Sequence, residues 1–140
     1  MVIYGFSHQD GDTTFNFQRL NEGECMLVSV YNPNKNAVQE IKIPEEVVDN
    51  EGFHIRKVSK IDKMTFAGFT SLRDLYIPET VKEIHYDAVL FGSDKITVHG
   101  RKGSCGEIWA KSKGFNFTKH NVSELNTFLS NINIENETIK

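Results

Sequence analysis

The sequence predicts an α+β chain wound as a short right-handed solenoid of short strands, opened by an N-terminal β-hairpin and closed by a capping helix and strand. Three observations carry this. A run of spaced apolar residues occurs once in full and then begins again. From Val58 it reads Val58-x-x-Ile61, Phe66, Gly68, Leu72 and Leu75-Tyr76-Ile77-Pro78; from Val81 it reads Val81-x-x-Ile84, Ala88-Val89, Phe91 and Ile96-Thr97-Val98. A short strand stopped by proline recurs as well, as Ile41-Lys42-Ile43-Pro44 and as Leu75-Tyr76-Ile77-Pro78. Toward the C-terminal end, Ser104-x-x-Glu107 has the form of a capping box, and Gly114 stands where a left-handed residue ends a helix. A unit as short as the stretch from Val58 to the next start at Val81 cannot bury its own apolar face, so it must stack on a neighbour.

The step from Val58 to Val81 falls in the period range of leucine-rich repeats, about 20–29 residues. The elements follow in order. Residues 1–14 are short and polar after Phe6, with Asp10-Gly11-Asp12 as a turn. Thr14 to Gln18 alternates, with Phe15 and Phe17 on one side. Asn21-Glu22-Gly23 supplies turn chemistry, and Cys25 to Tyr31 carries Met26, Val28 and Val30 at period two. Together these predict a hairpin. Asn32 to Asn36 is a loop, and Ile41-Lys42-Ile43 a strand that Pro44 stops. Asp49-Asn50-Glu51-Gly52 and Phe53-His54-Ile55 form an insertion, expected as a tight turn and an extra strand. A second row of short strands starts at Val58 and Val81. Met64 to Phe69 and Asp87 to Phe91 are too short for full helices and are expected as one or two turns, of α or 3₁₀ type. Leu75-Tyr76-Ile77 and Ile96-Thr97-Val98 continue the first row. In each strand of that row the flanking apolar residues point inward and the middle residue outward. Gly100 to Gly103 is a turn, the helix runs from Ser104 to Gly114, and Phe115-Asn116-Phe117 is a last strand. From Thr118 the composition shifts to Asn, Thr and Glu. Asn121 could cap a short helix with Val122, Leu125, Phe128, Leu129 and Ile132 on one face, and residues 133–140 are expected to fray. The expected division is 1–14 as an N-terminal segment, 15–117 as the repeat domain and 118–140 as a tail.

At 140 residues the chain has room for one domain, or one with a tail. Its net charge is −3 with both signs dispersed, which argues against a nucleic-acid surface, since that needs a basic stripe. No run approaches the roughly 18 apolar residues of a membrane span. Met1 to Phe6 lacks the basic start and long apolar run of a secretory signal, so the sequence as it stands reads as cytoplasmic. Two cysteines far apart, Cys25 and Cys105, do not form a disulfide framework.

The residues of the repeat resemble the BspA-like leucine-rich repeat family, also called the Treponema pallidum type. That family's unit runs Val-x-x-Ile-x-x-x-Ala-Phe-x-x-Cys-x-x-Leu-x-x-Ile-x-Ile-Pro. Val58, Ile61, Phe66, Leu72, Leu75, Ile77 and Pro78 match it, with Thr65 at the Ala position and Phe69 at the Cys position. The second unit keeps Val81, Ile84, Ala88 and Val89, and reads as two residues shorter before Ile96. The resemblance covers about residues 15–117. It implies a leucine-rich-repeat fold. It also implies a bacterial or protozoan surface protein that binds host proteins or other cells, placing a longer parent chain at the cell surface or outside the cell.

The outward row is the candidate binding face. It comprises Lys42, Tyr76 and Thr97, flanked by Glu40, Asp74, Lys95 and His99. Sheet faces of repeat proteins serve as binding surfaces, and a tyrosine among alternating charges suits an anchor. Other constellations have plainer readings beside the chemical one. Cys105 in a first helical turn, with His99 upstream, could form a nucleophile pair, but no third group to orient them is recognisable. The plain reading is a small residue packed under a cap. Gly100-Arg101-Lys102-Gly103-Ser104 could hold an anion, yet a turn and cap explain it fully. His8-x-Asp10-x-Asp12 lacks the spaced carboxylates of a calcium loop and reads as a polar turn. Asp62 and His85, at equivalent places in successive units, are expected to meet as a surface ion pair. No cofactor or metal is implied. The expected function is a non-enzymatic module that recognises a protein partner through its repeat face. The alternatives are a structural cap or fragment of a larger or self-associating solenoid, which would act as a homo-oligomer, and a Cys105-dependent enzyme.

Overall fold

Period-two strands joined by turns dominate the chain, as the alternating apolar pattern requires. The computed structural model describes residues 5–21, 23–52 and 54–120. Its strands are β1 (Gly5–Asp10), β2 (Thr13–Asn21), β3 (Glu24–Tyr31), β4 (Glu40–Lys42), β5 (Glu46–Asp49), β6 (His54–Ile61), β7 (Asp74–Tyr76), β8 (Glu83–Ile84), β9 (Thr97–Gly100) and β10 (Asn116–Lys119). One 3₁₀ turn, Lys35–Ala37, follows β3, and one helix, α1 (Cys105–Lys113), lies between β9 and β10. The expected tail helix and Phe53 lie outside the described residues.

The strands fall into two sheets. One has the order β1-β2-β3-β6-β5, with β8 also pairing β6; the other has the order β10-β9-β7-β4. β3, β6 and β8 run parallel to one another, and so do β4, β7, β9 and β10. From β6 to β9 the chain therefore alternates between two rows of parallel strands, supplying each row in turn, whereas β5 pairs antiparallel to β6 in the first sheet and β10 follows β9 in the second. The turns between the rows also stack: the N–H groups of Met64, Phe66 and Gly68 donate to the carbonyls of Asp87, Ala88 and Phe91. These segments are hydrogen-bonded turns and not helices. Gly68 and Phe91, one repeat step apart, both take positive φ, at 89° and 63°. Gly92 sits where two turns press together; a Cβ there would lie 2.8 Å from the Phe66 carbonyl oxygen.

Three details differ from the expected pattern. The register of the second unit is displaced by two. Leu75 pairs with Val98, and Tyr76 with His99, so Ile96 is not the counterpart of Leu75. The interval from Leu75 to Val98 equals that from Val58 to Val81, so the second unit is full length and not shortened. In β3 the buried set is Cys25, Leu27 and Val30, not Met26, Val28 and Val30. A bulge opposite Asn16 and Phe17 inserts Val28 and flips the parity, so Phe17 meets Leu27 while Phe15 meets Val30. Finally, the segment before residue 15 supplies β1, paired along β2 from Gly5↔Gln18 to Asp10↔Thr13.

The core lies between the rows. Ile41, Leu75 and Val98 form one buried ladder across the second sheet, with Phe66, Phe69 and Leu72 in the same core. At the N-terminal end Phe15 and Phe17 pack inward. Phe6 covers Phe17, with ring centroids 5.3 Å apart. At the other end Ser104 caps α1, accepting from the Glu107 N–H at 3.3 Å, and Gly114 closes it at φ 75°.

A cluster of charges lies inside. The Asp49 side chain is 0% exposed. Arg19 of β2 grips its carboxylate with two nitrogens, Arg56 of β6 adds a bond of 2.9 Å, and the Glu51 N–H donates at 3.1 Å. The hydrogen bonds from Arg19, and then Arg56, hold the Asp49 carboxyl well below the usual carboxylate range. Arg56 also reaches the Asn21 carbonyl. The triad thus ties the hairpin to β5 and β6.

Two outcomes follow. Leu75→Ala, at a position 0% exposed, lowers stability by about 2–5 kcal/mol in urea melts; an unchanged midpoint would contradict the ladder. Asp49→Asn at pH 7 costs about 3–5 kcal/mol, because Arg56 loses its charge partner and Arg19 is left with the exposed Glu51. Since the folded-state pKa of Asp49 is depressed, its contribution is complete above the ordinary carboxylate range and is lost as pH falls below about 4. The gap between wild type and Asp49→Asn therefore narrows in melts at pH 3; a gap that stays constant would contradict the ion-pair account.

Candidate functional site

The outer face of the second sheet collects the candidate residues, because alternation turns every second side chain of β4, β7, β9 and β10 outward. Register fixes who stands beside whom. Glu40, Asp74, Thr97 and Asn116 form one row across the strands, and Lys42, Tyr76, His99 and Thr118 the next. Thr97 is therefore the neighbour of Asp74, and His99 takes the place beside Tyr76 that the expected register gave to Thr97. All four strands contribute to these rows.

The second row is a ladder of rings. Tyr76 and His99 stack, with centroids 4.3 Å apart and planes 13° from parallel. Lys42 Nζ lies 5.3 Å from the Tyr76 ring centroid, a cation–π distance, and 3.3 Å from Glu40 Oε1. His120, just after β10, meets both Tyr76 and His99 edge to face, at 5.4 Å and 5.0 Å. His99 bridges outward from this stack: its Nε2 lies 2.8 Å from Asp74 Oδ1 and its Nδ1 lies 3.1 Å from His120 Nε2. Tyr76 is half-buried and not the freely exposed anchor the sequence suggests, because these neighbours cover it. The His99 side chain is 12% exposed. Both rings are thus held in one orientation before anything binds.

Two hollows flank the ladder at opposite ends of the strands. One, of about 380 Å³, lies beside Tyr76 and His99 and is walled by Ile43, Pro78, Arg101 and His120. Arg101 is ion-paired there with Glu79. The other, of about 620 Å³, contains Asp74, Lys95 and Thr97 together with Arg73 and Asp94. Lys95 therefore stands away from the rings. His120 escaped the sequence reading because it follows the last strand, outside the repeated pattern. His99 carried a signal: it follows Tyr76 by one repeat step, the interval that separates Val58 from Val81.

The other constellations do not assemble. Cys105 lines a separate hollow with Tyr86, Ile108 and Trp109, while His99 faces the sheet groove. Burial pushes the Cys105 thiol up, outweighing its place in the first helical turn. Burial also pushes the Cys25 thiol up to about 12. Both cysteines are free. At the start of α1 the Gly103 N–H donates to Glu107 Oε1 at 2.7 Å, so an acid of the chain itself occupies the expected anion position. Asp62 and His85 do not pair with each other. Asp62 Oδ1 accepts from the Lys63 N–H and His85 Nδ1 from the Asp87 N–H, each closing its own turn. His8 lies in β1 against Phe15, and among the described residues no three or more His, Cys, Asp and Glu side chains converge to hold a metal.

No family model matches the chain, and no curated protein matches it. Among solved structures it is similar to a leucine rich cell surface protein from Faecalibacterium prausnitzii, with a TM-score of 0.50 at 21% sequence identity. The likeness covers 81% of this chain and 32% of that one, so the chain spans about a third of that protein's length. Likeness at this identity bears on the fold: a small α+β arrangement of the leucine-rich-repeat type, mostly strands with one helix among the described residues.

Proposed function

We propose that the chain is a non-enzymatic protein-binding module of the BspA-like kind. In this reading it is a short right-handed leucine-rich-repeat solenoid, and the face of β4, β7, β9 and β10 recognises a protein partner. The observation that carries this is the preordered ring ladder of Tyr76, His99 and His120, edged by Lys42, Glu40 and Asp74. Loss of freedom on binding erodes affinity, and rings already stacked lose little of it. Charges of both signs around them favour one partner orientation over others. The description of the structural neighbour as a cell surface protein supports the same class of role, and a location at the cell surface.

A second reading has its own observation. The likeness takes up 32% of the neighbour, which continues well beyond the matched part. The chain then serves as a cap or fragment of a larger solenoid, or associates with itself. Sedimentation of the chain alone separates the two: mass that grows with concentration favours self-association.

The face is tested by mutation once cross-linking and mass spectrometry have identified a partner. Tyr76→Ala weakens binding at least about thirtyfold, the equivalent of a hot spot worth about 2 kcal/mol. Ile108→Ala, on the exposed side of α1, leaves affinity unchanged. The loss of stacking costs Tyr76→Ala about 0.5–1.5 kcal/mol of stability, which parallel melts measure. Equal affinities for wild type and Tyr76→Ala would move the site off this face.

A further inference from the structure

The His99–His120 contact is a hydrogen bond whose spacing also suits two nitrogens on one ion. The two facing nitrogens, His99 Nδ1 and His120 Nε2, are 3.1 Å apart. Zinc–nitrogen bonds are about 2.0–2.1 Å, so two nitrogens on one ion stand roughly 2.9 Å apart at a right angle and about 3.4 Å apart at the tetrahedral angle. The observed spacing falls between these. The tautomer is also set. Asp74 Oδ1 lies 2.8 Å from His99 Nε2, so the carboxylate accepts the Nε2 proton and the Nδ1 lone pair accepts from His120 Nε2–H, a proton that leaves this nitrogen when an ion binds. A carboxylate behind a histidine that faces a metal with its other nitrogen is the recurring outer-shell arrangement of such sites. Tyr76 fixes the ring planes from one side by stacking on His99 and meeting His120 edge to face. His99 is mostly covered, whereas His120 is open to solvent, so an ion has a path to both nitrogens.

We propose that His99 and His120 form a two-nitrogen site for a divalent first-row transition-metal ion of the zinc, nickel or copper class, with Asp74 holding the His99 tautomer. Imidazole nitrogens suit these ions, whereas magnesium and calcium take oxygen ligands. Two protein ligands leave the rest of the coordination shell to water or to a donor from a bound molecule. The site therefore lies on the candidate binding face but does not depend on that reading: the ion binds the chain alone.

The test uses the metal-free chain titrated calorimetrically with Zn²⁺ and with Cu²⁺, and with Mg²⁺ as control. Wild type takes up one equivalent of Zn²⁺, and its melting temperature rises with the ion. His120→Ala, at an exposed position, and His99→Gln each weaken binding at least about tenfold, and Asp74→Asn weakens it about 10–100-fold through the outer shell. Affinity falls as pH falls, because the ion requires deprotonated nitrogens. His8, His54 and His85 remain in every variant, so weak binding at those rings does not imitate the result. Zn²⁺ binding of the same affinity in wild type and in the His99→Gln/His120→Ala double variant would overturn the site. So would wild type that takes up no ion.

Discussion

Everything in this chain follows from the thinness of its repeating turn. One strand from each row and the turns between them make a layer with an apolar face above and below. Only another layer or a cap can cover those faces. Two full units leave little interior, so both ends must be closed by different means. The N-terminal end is closed by the hairpin, whose Phe15 and Phe17 join the core of the first layer. The C-terminal end is closed by α1. Gly106 lets the helix lie against Ile77, where a Cβ would meet that side chain at 3.3 Å, and Trp109 packs edge-to-face on Phe115 at 5.5 Å. A cap must also be fastened. The Arg19–Asp49–Arg56 cluster fastens the first one, since its members come from β2, β5 and β6. Desolvating three charges is costly, so the cluster specifies how the hairpin docks more than it adds net stability.

Much of this was legible because a fold of the leucine-rich-repeat type writes its structure into a period. The step from Val58 to Val81, the two proline-stopped strands and the capping box all lie in the sequence. Where the reading slipped, two solutions were locally equivalent. Ile96-Thr97-Val98 alternates, so either apolar residue can be set against Leu75, and local pattern cannot choose. Backbone pairing chooses, and it keeps the step constant. The slip by two left every side chain on its correct face, so Lys42, Tyr76, Asp74 and His99 remained together while Thr97 and His99 exchanged neighbours. In β3 the error came from a bulge. A bulge reverses which residues face inward without any mark in composition beyond an imperfect alternation. β1 was hidden for another reason. Gly5 to Asp10 is mostly polar because it is an edge strand, with Ser7, Gln9 and Asp10 exposed. His120 was illegible since it belongs to no unit.

The outer face shows how a polar surface can be ordered without being buried. Its ion pairs, Lys42–Glu40 and Arg101–Glu79, are exposed and contribute little to stability. Order comes instead from ring contact. The Tyr76–His99 stack spans β7 and β9, and His120 extends it past β10, so one cluster joins three strands. Because His99 uses both ring nitrogens, its orientation is set from two sides. The face thus combines fixed rings with adaptable charges.

The constant step carries a consequence for growth. Strands β4, β7 and β9 share one register, and neither cap touches the period itself. Length is therefore a free variable of this architecture. One whole unit inserted after Thr80 adds one strand to each row, widening the ringed face by about 4.8 Å. The hairpin would keep its contacts, and the helix would meet the inserted unit's residue in the place of Ile77. Lineages or designers can thus tune the breadth of the surface by whole units, without renegotiating either end.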